Sequence, residues 1–264
     1  MAAGGGRVGG PVRGGLAEGW AALADLVLPR TCAGCAVPGD VLCPDCRRRL
    51  AEPRLAEPRR HPAGFPPTVA SGAYAGPVRP AVLAFKEHGR AELAAPLGTA
   101  LALAVTGVLA GLPVPGWARP VLLVPVPSSA AAVQRRGRDH VGELARAAAA
   151  ELRAAGLPAR PAALLRRPRG TRDSAGLDAG ARRANLAGRF TARAPRGGLP
   201  AGALLVLVDD VVSSGATLTE AARALAAAPS VGDTPVLAAV VAATPRRSGN
   251  PVSASSAAAF TVRG

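Results

Sequence analysis

The segment with the clearest chemical potential runs from Leu204 to Glu220 and reads LLVLVDDVVSSGATLTE. An apolar run typical of a buried strand ends in two adjacent carboxylates, Asp209 and Asp210, and a loop of small residues follows. Amides and hydroxyls at the amino end of a helix bind phosphate, and carboxylates accept hydrogen bonds from the vicinal hydroxyls of a ribose. The pattern therefore predicts a site for a ribose 5-phosphate. Its phosphate loop comprises Ser213, Ser214, Gly215, Ala216 and Thr217.

Two alternatives to a sugar phosphate site remain open for these residues. In the first, a strand ends by chance in two aspartates before a Ser/Gly turn. In the second, Asp209 and Asp210 bind a metal ion in a phosphotransferase. The full pattern D-D-x-x-S-S-G-x-T, placed on a strand, a loop and a helix, favours the sugar phosphate over a bare aspartate pair.

All four cysteines fall in one short segment, CAGCAVPGDVLCPDC. They form two C-x-x-C pairs separated by seven residues, a spacing typical of a closed tetrahedral Zn²⁺ site. The alternatives are disulfides or four unrelated thiols. The Gly-rich amino end has no apolar core of the kind a secretory signal needs, and this argues against disulfides. The predicted zinc ligands are Cys32, Cys35, Cys43 and Cys46.

These residues have to be positioned by regular elements, and the remaining pattern supplies them. Continuous apolar strands separated by amphipathic helices predict an α/β fold with a parallel sheet covered on both faces. The predicted elements are a strand at 69–74, helices within 78–110, a strand at 121–127, a helix at 139–155, a strand at 204–208, a helix ending before 229, and a strand at 235–244.

The domain organisation follows from composition. We predict a disordered arm, a zinc ribbon, a Pro- and Arg-rich linker, the α/β domain and a disordered tail. Their bounds are 1–19, 20–50, 51–67, 68–245 and 246–264.

An uncharged stretch at 93–118 is long enough to suggest a membrane span. Several Pro, Gly and Thr residues interrupt it, and Leu93, Leu97 and Leu101 recur at helical spacing. This pattern favours a helix packed on the sheet. We therefore expect no membrane span and a cytoplasmic protein.

The formal net charge is +15, yet of 32 basic residues only Lys86 is a lysine. Ala, Gly, Pro and Arg are all abundant, which indicates a compositional bias acting on the whole chain. The charge is therefore compatible with binding of polyanions, including phosphates, without being specific for DNA.

The Asp-Asp loop resembles the ribose 5-phosphate loop of type I phosphoribosyltransferases, which usually act on phosphoribosyl pyrophosphate. The whole chain resembles one subgroup, the ComF family associated with DNA uptake in competent bacteria. The resemblance covers about residues 20–245. It rests on the four-cysteine ribbon and on the segments YAGPVRPAVLAFKEHGR, VPVPSSAAAVQRRGRDHV and TRDSAGLDAGARRANLAGRF.

The resemblance implies roles for further residues. The loop after VPVP would face the pyrophosphate of the substrate, which Mg²⁺ would accompany. Lys86 matches a Lys-x-x-Gly position of the family, and Arg135 and Arg136 would pair with phosphate oxygens. The pyrophosphate loop would contain Ser128 and Ser129. A mobile lid at Thr171–Asn185 would contribute Thr171, Arg182, Arg183 and Asn185.

Two departures from the family concern the acceptor side of such a site. Relatives often carry Phe-Asn-Gln where this chain has Arg138, Asp139 and His140, and Gln where it has Ser174. In addition, Ser213 stands where some purine-using relatives have an acid, and a serine cannot handle a base proton at neutral pH.

Three functions are compatible with these residues. The first is an active phosphoribosyltransferase that binds phosphoribosyl pyrophosphate. The second is a non-catalytic module of the same fold that senses a phosphoribosylated ligand. The third is a component of DNA uptake that uses its ribbon and basic surface on single-stranded DNA or on DNA-uptake proteins. Only 3% of the residues are aromatic, and this scarcity of stacking platforms weighs against the third.

Overall fold

A six-stranded sheet organises the part of the chain that the computed structural model describes, residues 30–58, 62–112, 119–168, 188–195 and 197–245. The strands lie in the spatial order β1-β2-β8-β7-β3-β4, and within this sheet only the edge strand β1 is antiparallel to its neighbour. The strands β5 and β6 form a separate antiparallel pair. Their bounds are β1 Arg54–Leu55, β2 Thr68–Ala73, β3 Val121–Pro125, β4 Ala159–Pro161, β5 Leu165–Arg166, β6 Thr191–Ala192, β7 Leu204–Val212 and β8 Val236–Ala243.

Helices cover both faces of the sheet. They are α1 Pro44–Arg49, α2 Val78–Lys86, a 3₁₀ turn Ala91–Leu93, α3 Ala94–Ala110, α4 Ala130–Arg136, α5 His140–Ala154 and α6 Ala216–Ala226. Along β7, Val206 and Val208 join one buried cluster with residues of α2, α3 and α5, whereas Leu205 and Leu207 join a second cluster with α6 and the β5–β6 pair. This alternation is the period of two that a strand buried on both faces requires. The predicted α/β class with a mostly parallel sheet is confirmed.

The crossover connections change direction between β3 and β7. After β3 the chain continues through α4 and α5 to β4 at one edge, and after β7 it continues through α6 to β8 on the other side. Ligands of open parallel sheets bind beyond the carboxyl ends of the strands at such a switch point. The two strands are in register, with Pro125 opposite Val208. The loops that follow them therefore lie side by side.

Part of the predicted linker belongs to the sheet. β1 pairs with β2, Ala56 is buried, and the amide of Glu52 donates to the carbonyl of Ser71 over 3.1 Å. A side chain at Gly72 would place its Cβ 2.6 Å from the carbonyl oxygen of Arg49. The segment just after the cysteines therefore packs directly on β2, and residues 54–56 do not form a free linker.

The apolar stretch Ala91–Ala110 is long enough and hydrophobic enough to cross a membrane by these two criteria alone. The same criteria admit a helix from the core of a soluble protein, so they are weak evidence. In the structure, Leu97, Leu101 and Val108 are buried, and α3 packs on β2, β8 and α5. The predicted helical spacing thus matches the face that the helix buries.

The contact between α3 and α5 depends on a glycine. A Cβ added at Gly98 would overlap the Cβ of Ala147. Alanine normally stabilises a helix by about 1 kcal/mol relative to glycine. Overpacking of a core typically costs about 1–3 kcal/mol, so we expect Gly98→Ala to lower the free energy of unfolding.

Denaturant unfolding of Gly98→Ala, Ala147→Gly and the double variant would measure this effect. If the two helices compete for the same space, the double variant should be more stable than the sum of the single changes predicts. A Gly98→Ala protein as stable as the original would contradict the close helix contact.

Candidate active site and metal centre

The four cysteine sulfurs lie within 4.8 Å of one another, and the Sγ atoms of Cys35 and Cys43 are 3.6 Å apart. A tetrahedral zinc site with Zn–S bonds of about 2.3 Å requires sulfur–sulfur distances of about 3.8 Å. The four cysteines are free thiols. The cluster could therefore hold a metal ion such as zinc.

Backbone amides from both cysteine pairs donate hydrogen bonds to the sulfur of Cys32. The amides of Gly34 and Cys43 donate to Cys32 Sγ over 3.4 and 3.3 Å. Burial by itself raises the pKa of the Cys32 thiol, but hydrogen bonds from the backbone outweigh it and lower the pKa to about 6. At Cys46 burial and the neighbouring sulfurs raise the pKa above its ordinary value. A side chain at Gly34 would approach Cys46 Sγ to 2.8 Å, so this glycine lets the two pairs meet.

A cavity of about 260 Å³ opens at the carboxyl ends of β3 and β7. It lies at the switch point of the sheet, where parallel α/β folds bind ligands. The predicted site residues that line it are Lys86, Ser128, Ser129, Arg136, Asp209, Asp210 and Thr217. These residues come from three separate segments of the chain, around Lys86, 128–136 and 209–217, so the fold itself brings them together.

Asp210 is the centre of a buried charged network. Its Oδ2 accepts hydrogen bonds from Lys86 Nζ at 2.7 Å and from His140 Nε2 at 3.1 Å. Its Oδ1 accepts from the amide of Val211 at 2.7 Å. The residue is only 3% exposed. Both carboxylate oxygens are therefore engaged within the protein, and Asp210 orients Lys86 and His140 rather than facing the cavity freely.

The pKa shifts in this network keep Asp210 negatively charged and Lys86 positively charged. Burial tends to raise the pKa of Asp210, but the hydrogen bond from His140 and the charge of Lys86 outweigh it and hold the pKa far below its ordinary value. Burial likewise tends to lower the pKa of Lys86, and the attraction of Asp210 raises it above the ordinary value. Lysine and aspartate therefore remain an ion pair at neutral pH.

Asp209 differs from its neighbour. It is only half-buried, lines the cavity, and accepts a hydrogen bond from the amide of Asp210 on Oδ1 at 2.8 Å. Burial and the adjacent charge of Asp210 raise its pKa well above the ordinary value. Of the two carboxylates, Asp209 is thus the one available to a hydroxyl donor.

The predicted phosphate loop forms the turn into α6. Gly215 has φ +77°, and a Cβ there would lie 2.9 Å from both Phe65 and Pro58. The glycine is thus required by the backbone conformation and by packing against Pro58 and Phe65. Ser213 and Ser214 are exposed, Ala216 begins α6, and Thr217 lines the cavity.

On the neighbouring loop, Ser129 caps α4 by accepting a hydrogen bond from the amide of Ala132 at 3.2 Å. Arg136 lies at the end of this helix and donates to both carboxylate oxygens of Glu87, at 2.6 and 3.0 Å. Arg135, which we expected beside it as an anion contact, is exposed and does not line the cavity. The loop therefore brings one of the two predicted arginines to the site.

Arg138, Asp139 and His140 have specific contacts. The guanidinium of Arg138 lies 4.4 Å from the centre of the Phe85 ring and also binds Glu143. Asp139 caps α5 by accepting from the amide of Gly142 at 3.2 Å, and His140 binds Asp210. A contact that spans 70 positions has no local sequence signal, so His140 could not be assigned from the sequence.

Three further residues of the cavity wall were not predicted from the sequence, namely Arg167, Arg189 and Phe190. They flank the strands β5 and β6. The proposed lid residues Thr171, Arg182, Arg183 and Asn185, together with Ser174, lie outside the described residues.

The cavity is lined by a half-buried carboxylate, by the small-residue loop after β3 and by several cations, and of the predicted phosphate loop Thr217 lines it. Such a set can bind a molecule that combines hydroxyls with phosphate groups. In comparisons with known proteins, the chain matches no family model and has no significant match among curated proteins.

Proposed function

We propose that the protein binds phosphoribosyl pyrophosphate, or a related ribose 5-phosphate ligand, and acts as a phosphoribosyltransferase with a type I fold. One observation carries this proposal. The loop after β3, the carboxyl end of β7 and the first turn of α6 line the same cavity at the switch point, together with a carboxylate and several cations. A phosphate cradle beside a diol acceptor and a second anion site matches the three polar parts of this substrate.

Each part of the substrate has a partner. The 5-phosphate would bind the amides and hydroxyls of residues 213–217 at the start of α6. The ribose hydroxyls would donate to Asp209, and the pyrophosphate would face Ser128, Ser129 and Arg136. Lys86, held by Asp210, would add a fixed positive charge beside the pyrophosphate.

The reaction would be a substitution at the anomeric carbon. The acceptor forms a bond to C1, and the C1–O bond to pyrophosphate breaks with its electron pair leaving on the pyrophosphate. Mg²⁺ bound with the pyrophosphate would neutralise the negative charge that develops on this leaving group. The side chains of the chain itself bind the anions, orient the ribose and fix Lys86, which is mainly work of positioning and electrostatic stabilisation.

We also propose that the ion held by the four cysteines is Zn²⁺ in a structural role. Four thiolates fill the coordination sphere of a tetrahedral ion and leave no open position for a substrate. The lowered pKa of Cys32 supports the thiolate form that metal binding needs.

Replacement of Asp209 by asparagine tests the site directly. Hydrogen bonds to a charged acceptor are worth about 1.5–3 kcal/mol, so we expect the affinity for phosphoribosyl pyrophosphate with Mg²⁺ to fall about ten- to a hundredfold. Thr217→Ala should weaken binding less. Isothermal titration calorimetry measures the affinity, and thermal unfolding checks that the fold persists.

Asp233→Asn provides the matched control because Asp233 is exposed and outside the cavity. It should leave the affinity unchanged. Absence of phosphoribosyl pyrophosphate binding by the unaltered protein would contradict the proposal. Binding without pyrophosphate release across a panel of nucleobases and amines would favour the non-catalytic sensor. An Asp209→Asn protein that binds the ligand normally but loses single-stranded DNA would favour a DNA surface.

A further inference from the structure

The helix α2 carries the lysine of the cavity and lies against the four-cysteine ribbon. At its amino end, a Cβ added at Gly34 would lie 2.9 Å from the carbonyl oxygen of Pro77, the residue just before the helix. Such a distance leaves no room for a side chain. Val78, the first residue of α2, is buried in one cluster with Cys32. The ribbon and the start of the helix are therefore in direct contact.

The ribbon has a second contact just beyond the carboxyl end of α2. Arg90 follows this end, and its Nη1 donates a hydrogen bond to the carbonyl oxygen of Thr31 at 2.9 Å. Thr31 directly precedes the first cysteine. The amide of Arg90 also donates to the carbonyl of Ala84 within the helix, at 3.1 Å. Arg90 therefore ties the turn that ends α2 to the ribbon.

The turn formed by residues 86–90 determines where two cations of the cavity lie. Lys86 donates to Asp210 Oδ2 at 2.7 Å, and the next residue, Glu87, accepts two hydrogen bonds from Arg136 at 2.6 and 3.0 Å. Lys86 and Arg136 both line the cavity. The hydrogen bond from Arg136 lowers the pKa of Glu87, so this side chain is a carboxylate at neutral pH. A displacement of the turn would therefore move the lysine and the carboxylate that holds the arginine.

We propose that the ribbon is a positioning element of the cavity, and that Arg90 is the positioning residue that links the ribbon to Lys86. Arg90 does not line the cavity, so it acts on a bound anion only through the turn. A cation that is held in place before the ligand arrives loses less entropy on binding. The affinity of the cavity for an anion then depends on a contact with the ribbon that the ligand does not touch.

The composition of the chain provides a direct probe of Lys86. It is the only lysine, so protein labelled with ¹³C-lysine gives a single ¹³Cε signal in a nuclear magnetic resonance spectrum. We expect Arg90→Gln to shift this signal, because the turn loses its link to Thr31. Glu92→Gln is the matched control. It removes the exposed ion pair of 2.8 Å between Arg90 and Glu92 but keeps the bond to Thr31, so it should leave the signal in place.

A change within the ribbon tests whether the ribbon itself acts on the lysine. Gly39 has φ +117°, a conformation that alanine rarely adopts, and its amide donates to the carbonyl of Arg30, next to Thr31, at 2.8 Å. Gly39→Ala should therefore displace Thr31 and shift the Lys86 signal. The same change should have no effect on this signal in the Arg90→Gln background, because the link is already lost.

The affinity measurement rests on the proposed function. Arg90→Gln should weaken binding of phosphoribosyl pyrophosphate with Mg²⁺ about three- to tenfold, as remote positioning residues do, and Glu92→Gln should leave the affinity unchanged. Isothermal titration calorimetry measures the affinity. Elemental analysis and thermal unfolding check that the variants keep the metal content and the fold of the unaltered protein.

The outcomes separate the positioning role from the proposed function. If the unaltered protein binds no phosphoribosyl pyrophosphate but the Lys86 signal responds as expected, the proposed function is wrong and the link between ribbon and lysine stands. If Arg90→Gln leaves the signal in place, or Glu92→Gln shifts it equally, the ribbon does not position Lys86. A shift caused by Gly39→Ala that persists in the Arg90→Gln background, or a shifted signal with unchanged affinity, would overturn the proposal as well.

Discussion

Replacement of Cys32 by serine is expected to abolish stoichiometric metal binding and to destabilise the whole protein. Cys32 and Cys46 are buried in the same core cluster as Leu50, Val78 and Phe85. A structural zinc ion contributes about 10–16 kcal/mol of apparent binding free energy in small peptides. Losing it should lower the free energy of unfolding by more than about 4 kcal/mol, the range typical of metal loss.

Elemental analysis of the purified protein should find about one zinc per chain, and calorimetry should find a much lower melting temperature for Cys32→Ser. A chelator should reproduce the effect in the unaltered protein. Asp45→Ala is the matched control, because Asp45 lies beside Cys46 but is exposed and bonded only to Arg48 among the described residues. A structural metal would be disproved if the purified protein contained no metal and Cys32→Ser left its melting temperature unchanged.

Features with a local signal could be predicted from the sequence. The apolar run of β7 and the two aspartates that follow it, the helical spacing along α3 and the cysteine spacing each lie within one short segment. β7 itself continues past the aspartates to Val212, beyond the predicted strand at 204–208. The alternation of strands and helices then predicted a parallel sheet, and the carboxyl end of β7 predicted a ligand site at this edge of the sheet. The structure places Asp209 and Thr217 in the wall of one cavity with Ser128 and Ser129, which only the family resemblance had suggested.

Features that depend on distant pairings could not be predicted. His140 meets Asp210 across 70 positions, and Gly215 packs against Phe65 and Pro58 from the segment taken as a linker. Arg167 and Arg189, which flank the paired strands β5 and β6, line the same cavity although 22 positions separate them in the sequence. Arg135 and Arg136 are adjacent residues of the same type, so the sequence alone cannot distinguish them. The orientation of α4 decides which one lines the cavity. The sequence pattern also predicted the same role for Asp209 and Asp210. In the structure Asp210 is buried and bonded to Lys86 and His140, whereas Asp209 is half-buried and lines the cavity.

The same substitution at these two neighbours should therefore have different effects on the free energy of unfolding. Asp210→Asn leaves Lys86 without its buried counter-charge, and breaking a buried ion pair costs about 3–5 kcal/mol; because Lys86 keeps 29% of its side chain exposed, we expect about 3 kcal/mol. Asp209→Asn removes a carboxylate whose pKa is raised by burial and by Asp210. Its ionised form is disfavoured in the fold, so this change should leave stability unaltered or increase it at neutral pH.

The pH dependence gives an independent check on Asp210. Its pKa is depressed in the folded protein, so its contribution is fully present above the unfolded value of about 3.9 and is lost as the pH falls towards the folded pKa. Comparing Asp209→Asn with the double variant Asp209→Asn/Asp210→Asn removes the coupling between the two carboxylates. The difference in the free energy of unfolding between these two proteins should stay constant from about pH 7 to pH 5 and shrink below about pH 4. Urea unfolding at each pH measures it. An equal loss of stability from Asp209→Asn and Asp210→Asn, or a difference that grows in acid, would mean that the Lys86–Asp210 pair does not organise the site.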